Sequence, residues 1–88
     1  MFYVYILLSE KDSQFYIGYT TDLKKRIKRH KSGEVPSTRS RLPVGLIFYE
    51  AYINKSDAKR REKYFKTTKG KAVLKNMLKE YLNNSQPA

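Results

Sequence analysis

In the run Leu23-Lys24-Lys25-Arg26-Ile27-Lys28-Arg29-His30, the apolar Leu23 and Ile27 stand four residues apart and so share one face of a helix. Arg26 and His30 have the same spacing, and at ~100° per residue both fall within about 60° of Leu23. A permanent cation and a titratable imidazole thus lie on or beside the side that faces a core, which marks this helix as one half of an active site. A second candidate is Glu62. At spacings of four and three, Ala58, Glu62 and Phe65 share a helical face. Glu62 is also the sole carboxylate in Lys59–Lys71, a stretch with seven Lys and Arg residues. An inward carboxylate in such a setting needs a positive partner, either a metal ion or an arginine such as Arg26. Helical phase leaves both open.

Strands and turns must bring these side chains together. Phe2-Tyr3-Val4-Tyr5-Ile6-Leu7-Leu8 is rich in aromatic and β-branched residues and reads as a buried strand. Ser9–Ser13 supplies turn residues, and Gln14–Tyr19 returns as the second strand of a hairpin. With about four residues in the turn, odd positions of the first strand share a face with even positions of the second. Tyr3, Tyr5, Tyr16 and Gly18 then line one face; Phe2, Val4, Ile6, Phe15 and Ile17 line the other. The first is a tyrosine platform with a glycine gap. On pairing alone, amphipathic tyrosines at a sheet edge explain it as well as a site does.

Further along, Thr20 or Thr21 is expected to cap the first helix, with Asp22 near its positive end and Gly33 as its stop. Glu34–Gly45 is a long connection whose Arg39, Arg41, Ser37, Thr38 and Ser40 suit phosphate contacts, or else a flexible linker. Leu46–Ile53 is a third strand. Asn54 and Ser56 are cap candidates for a second helix that runs to about Lys66. Thr67-Thr68-Lys69-Gly70 is expected to break it. Leu74, Met77, Leu78, Tyr81 and Leu82 form the stripe of a third helix packed on the core. The expected domain spans residues 1–82, with 83–88 a disordered polar tail.

Lys and Arg total 19 against 8 acidic residues, a net charge of +11 in 88 residues. The excess is clustered: Lys24–Lys31 holds six Lys and Arg and no acid. Clustering of this kind points to a polyanion, nucleic acid above all, rather than to scattered solvated lysines. Neither basic helix has the continuous apolar face that a membrane surface would need. No apolar run is long enough for a transmembrane span or a signal sequence. Cysteine is absent, which excludes disulfides, thiolate metal sites and a cysteine nucleophile and fits a cytoplasmic protein.

Two tyrosines on paired strands, an arginine and a histidine on the next helix and a glutamate on the one after form a set. In it the chain resembles the GIY-YIG nuclease superfamily. Tyr3-Val4-Tyr5 stands for the first motif and Tyr16-Ile17-Gly18 for the second; Arg26, His30 and Glu62 match the helical positions. The similarity covers roughly residues 2–82, and five positions in order are far more specific than either three-residue motif. The chain is similar to small stand-alone members related to the N-terminal nuclease domain of the excinuclease C subunit. That resemblance implies an α+β fold, a three-stranded antiparallel sheet flanked by helices in the order β-β-α-β-α-α. It implies a DNA endonuclease, with a place in DNA repair or recombination, that uses Mg2+ or Mn2+ held mainly by Glu62 and no small-molecule cofactor. Tyr16 or Tyr5 would activate water, Arg26 would hold the scissile phosphate and His30 would assist. Lys24, Lys25, Lys28, Arg29, Arg39 and Arg41 would contact DNA phosphates. The chain departs from the family in three places. Tyr3 replaces the first motif's glycine, Tyr19 stands where the excinuclease domain has a lysine, and Asn76 is only a positional match for a late asparagine. The alternatives from other classes are a non-catalytic nucleic-acid-binding module and a structural module that docks an acidic protein.

Overall fold

The computed structural model describes residues 1–84. Strands β1 (Phe2–Ser9) and β2 (Phe15–Thr20) form the expected hairpin. Tyr3 lies opposite Thr20, Tyr5 opposite Gly18 and Leu7 opposite Tyr16, so odd positions of β1 do meet even positions of β2. Strand β3 (Val44–Tyr52) pairs antiparallel with the other edge of β1, giving the order β2-β1-β3. The fold class is therefore α+β, with a three-stranded antiparallel sheet between helices.

Alternation along the central strand divides the core in two. Val4, Ile6 and Ile17 project to one face and bury themselves with Ala58, Phe65 and Leu74. Tyr5, Leu7 and Val44 project to the other and pack with Leu23 and Ile27. The first face is covered by α3 (Lys55–Phe65) and α4 (Thr68–Met77), the second by α1 (Leu23–Lys31). Every element of the candidate site thus rests on one of these two layers, and β1 is shared by both.

Side-chain caps set the helix starts. Asp22 itself is the N-cap of α1, its carboxylate accepting from Lys25 N at 3.2 Å. The threonines expected there are displaced to the preceding turn, where Thr20 Oγ1 accepts from Asp22 N at 3.1 Å. An ionised carboxylate is a stronger acceptor than a hydroxyl and also complements the helix dipole. Asn54 caps α3 by accepting from Ser56 N and Asp57 N, and Ser56 lies inside the helix.

The stretch 34–45 is neither a long open loop nor a linker. Pro36 starts a short helix, α2 (Pro36–Arg39), with Val35 and Thr38 buried. Proline at the first helical position has φ preset and needs no N–H partner. Arg41 then straps the segment to the hairpin turn: its Nε donates to Asp12 Oδ2 at 2.7 Å, and its Nη2 donates to the carbonyls of Gln14 and Phe15. Ser9 Oγ donates to Arg41 O at 2.6 Å.

The break expected over 67–70 is narrower than its composition implies. Thr67 caps α4, and Gly70 lies in the first turn, fully inside the helix. A Cβ at Gly70 would overlap the Tyr64 carbonyl and stand 2.8 Å from Phe65 Cα. Glycine is there for close approach of two helices, not to stop one. The expected third helix divides at Leu78 into α4 and α5 (Lys79–Asn84). Leu74 and Leu78 face the core, whereas Met77 and Tyr81 are 44% and 48% exposed and leave the stripe. Asn83 and Asn84 are helical rather than tail; the remainder of the expected tail, 85–88, lies outside the described residues. Among the described residues, no helix is long and apolar enough to cross a membrane.

Candidate active site

Gly18 opens the space in which the site is built. A Cβ on Gly18 would overlap the hydroxyl end of Tyr5, at Cζ and Oη. The gap expected on the tyrosine face is therefore filled by Tyr5 from the neighbouring strand, not by Tyr16. With its ring over Gly18, Tyr5 is buried and its hydroxyl reaches under α1. There Tyr5 Oη and His30 Nε2 are 2.8 Å apart, and Arg26 Nε donates to Tyr5 Oη at 3.2 Å. Tyr16 packs edge-on to the His30 ring, centroids 5.1 Å apart, and lies 6.3 Å from the Tyr5 ring. The structure thus brings Tyr5, Tyr16, Arg26 and His30 into one cluster on the α1 face.

The two tyrosines differ in environment. Burial pushes the Tyr5 phenol above its ordinary value, only partly offset by the Arg26 hydrogen bond. Tyr16 is half-buried, and its Oη accepts from Ser37 Oγ at 3.2 Å in a solvent-exposed contact. His30 is fully buried. Desolvation, reinforced by the positive charges of Arg26 and Arg29, pushes its pKa down to about 4, so the imidazole is neutral at pH 7. Arg26 moves the other way, held charged chiefly by its bond to Tyr5.

Arg26 also lines an open cleft of about 360 Å³ with Lys25, Arg29, Tyr19, Thr20, Thr21 and Asp22. Lys24, Lys25, Lys28, Arg29 and Arg39 are exposed. Arg41 is committed to Asp12 and to two backbone carbonyls, so the expectation that it faces DNA gives way to a structural role.

Glu62 lies on α3, on the opposite layer, with its side chain 14% exposed. Among the described residues it is paired neither with Arg26 nor with any other arginine. Its carboxylate meets Lys66 Nζ at 3.0 Å and Lys59 Nζ at 3.6 Å, both on its own helix. Glu62 is near enough to the cluster that its charge helps to raise the Tyr5 pKa. Asn76 is exposed on α4.

The role of Lys59 was not visible in the sequence, and Thr38, expected with its neighbours to contact phosphate, is instead fully buried. Lys59 Nζ stands 4.1 Å above the Tyr19 ring while touching Glu62, a cation held between a π-face and a carboxylate. Thr38 Oγ1 is 2.7 Å from His30 Nδ1, fully buried. In the sequence it was one of several loop hydroxyls; the sign that it sits in a helix was Pro36 two residues earlier.

Fold and cluster together define a small α+β domain with a polar cluster under its first helix. The family model described as the GIY-YIG catalytic domain matches residues 1–77, and the chain belongs to that family. Among curated proteins, it is 40% identical over 82 residues to the UPF0213 protein SAG0778 of Streptococcus agalactiae, covering 92% of this chain and 91% of that one. It is 48% identical over 67 residues to the UPF0213 protein CPE1444 of Clostridium perfringens, covering 75% and 71%. Among solved structures, the solution NMR structure of the UPF0213 protein BH0048 from Bacillus halodurans matches with a TM-score of 0.56 and 40% identity. That match covers 88% of this chain and 85% of the other.

Proposed function

We propose that the protein is a divalent-metal-dependent endonuclease that hydrolyses DNA phosphodiester bonds. The observation that carries this reading is the part-buried contact of Arg26 with Tyr5 at the edge of a basic cleft. A guanidinium so fixed can meet a phosphate with little loss of freedom and offset the charge that grows on its oxygens. Lys25 and Arg29 share the cleft; Lys24, Lys28 and Arg39 extend the positive surface along the backbone of a bound duplex.

Tyr16 is the residue that takes the proton from the attacking water. Its hydroxyl is half-buried and reachable, whereas the Tyr5 hydroxyl is enclosed between Arg26 and His30. Ser37 donates to Tyr16 Oη, which holds the phenol oxygen at the open side of the cluster. Neutral His30 keeps Tyr5 in place beneath Arg26.

Glu62 fits a hard cation as one oxygen donor. No group of three His, Asp or Glu side chains that could hold a metal occurs among the described residues. Mg2+ or Mn2+ would therefore keep several waters and take the remaining contacts from phosphate oxygens, as Mg2+ commonly does. When bound, it would supply positive charge to the phosphate and acidify a bound water. Lys59 and Lys66 must loosen from Glu62 for that to happen.

This last feature favours the second reading, a non-catalytic DNA-binding module, in which the two lysines satisfy Glu62 permanently. Incubating the pure protein with supercoiled plasmid and with branched DNA, with and without Mg2+ or Mn2+, separates the two. Metal-dependent nicking is expected. Tight binding without cutting under any metal would hand the function to the second reading.

A further inference from the structure

We infer that Thr38 is a positioning residue: through His30 it fixes which way the Tyr5 proton points. Its catalytic consequence rests on the nuclease reading above; the hydrogen-bond order does not.

Four contacts run in series. Arg26 Nε meets Tyr5 Oη at 3.2 Å, Tyr5 Oη meets His30 Nε2 at 2.8 Å, and His30 Nδ1 meets Thr38 Oγ1 at 2.7 Å. Thr38 Oγ1 ends the row 3.5 Å from Val35 O. The two ends have fixed roles. A guanidinium N–H can only donate, and a backbone carbonyl can only accept. One proton order satisfies every atom between them. Arg26 donates to Tyr5, Tyr5 donates to His30 Nε2, His30 Nδ1–H donates to Thr38, and Thr38 donates to Val35.

Reversing the middle of the row breaks it. If Thr38 donated to Nδ1, His30 would carry its proton on Nε2 and give it to Tyr5 Oη. Tyr5 Oη would then accept twice, and its own buried proton would have no acceptor among the described residues. The Val35 carbonyl is indifferent to the choice, since it keeps the N–H groups of Thr38 and Arg39 at 3.1 and 3.0 Å, so the unpaired Tyr5 proton decides the order. A buried hydroxyl proton left unpaired carries its full desolvation penalty, enough to fix one order. His30 is fully buried beside two arginines, so the doubly protonated ring is not a competitor at neutral pH.

The order matters for the site. With its proton given to His30 and its lone pair facing Arg26, Tyr5 cannot accept a proton from water. It serves instead as a rigid acceptor that aims Arg26 into the cleft. Thr38 is the far stop of that device, and α2 sets it in place through buried Val35 and the Arg41–Asp12 strap.

The experiment is nitrogen-15 NMR of the single histidine in wild-type, Thr38→Val and Thr38→Ser proteins near pH 7.5, with nicking assayed on the same samples. The wild type should show His30 as the Nδ1–H tautomer. Thr38→Val removes the acceptor while keeping the shape, and should shift His30 toward the Nε2–H tautomer. Its nicking kcat should fall roughly tenfold, with KM nearly unchanged. Thr38→Ser should restore both the tautomer and the rate. If Thr38→Val does not fold, the wild-type and Thr38→Ser spectra still decide the assignment. An Nε2–H tautomer in the wild type, or an unmixed Nδ1–H tautomer in a folded Thr38→Val, would overturn the inference. A wild type with the Nδ1–H tautomer that never nicks DNA would instead sink the nuclease reading and leave the proton order standing.

Discussion

On the α1 face of the sheet, the polar groups stand in a row, part-buried at Arg26 and buried from Tyr5 through His30 to Thr38. On the α3 face, Glu62 meets two lysines whose side chains are 50% and 55% exposed. The first arrangement is stiff, because any break strands a buried polar atom. The second is softer, because the lysine ends are exposed and screened and such pairs within one helix contribute only a few tenths of a kcal/mol each. The proposed phosphodiester hydrolysis would use both kinds of region. The group that orients phosphate should not move, whereas the carboxylate that receives a cation must be able to exchange partners.

The largest expected effect tests the soft half. Glu62→Gln should lower metal-dependent nicking by about 10³-fold, since it removes the charge that holds the cation. Melting temperature should barely change, because only weak ion pairs are lost. A protein that melts early but nicks at the normal rate would make Glu62 a structural residue and dissolve the contrast between the faces.

Next comes the stiffness of the other half. Gly18→Ala drives a methyl group into the Cζ and Oη atoms of Tyr5. It should destabilise the protein by about 3 kcal/mol or more through forced displacement of a buried aromatic, read by chemical denaturation. An undisturbed midpoint would show that the cluster can yield after all.

The two tyrosines sharpen the comparison within that half. Tyr16→Phe should reduce nicking roughly 10²-fold with stability nearly unchanged. Tyr5→Phe should cost about 1–3 kcal/mol of stability, because Arg26 and His30 both lose a buried partner. If Tyr16→Phe cuts normally across pH, the base is not Tyr16.

A smaller effect concerns acid. The folded protein holds His30 neutral with its pKa pushed down to about 4, against about 6.5 for the unfolded chain. Between those values the unfolded state binds more protons, so stability rises with pH across the window and is lost as pH falls through it. A loss on the order of 2 kcal/mol is expected, and His30→Gln should remove this slope when melting is followed at pH 7 and pH 4.5. Asp12 does not confuse the result. Its pKa is pushed down to about 2 by Arg41 and the Gln14 N–H, so its contribution is lost only below the His30 window.

The smallest single-residue effects belong to the surface charges. DNA affinity should fall steeply with salt, and Lys25→Ala and Arg29→Ala should each reduce the salt slope by about 1. Arg41→Ala should leave that slope unchanged and lower the melting temperature, since its donors are spent on Asp12 and the hairpin carbonyls. A flat salt response in the wild type would refute electrostatic binding altogether.

Much of this molecule could be read from its residues. Strand alternation determines which side chains share a face, so Tyr5, Tyr16 and Gly18 were legible as one set, and helical phase put Arg26 and His30 beside Leu23. The ends of α1 at Gly33 and of α3 near Lys66 followed from local chemistry too, since caps and stops act within a few residues. What sequence could not reach were contacts made across the chain. That Tyr5 and not Tyr16 fills the gap over Gly18 depends on strand register together with the direction of a ring. That Gly70 allows helix contact, rather than ending a helix, depends on where Tyr64 passes. Glu62 had two partners open to it in sequence, Arg26 or a metal. The fold put Arg26 on the other layer and left two lysines of α3 at Glu62, a choice that helical periodicity cannot see. Thr38 looked like one loop hydroxyl among three. Only burial against His30, eight residues away in sequence, separates it from Ser37 and Ser40, because a hydroxyl's role is set by which atom it meets, and that is decided by packing.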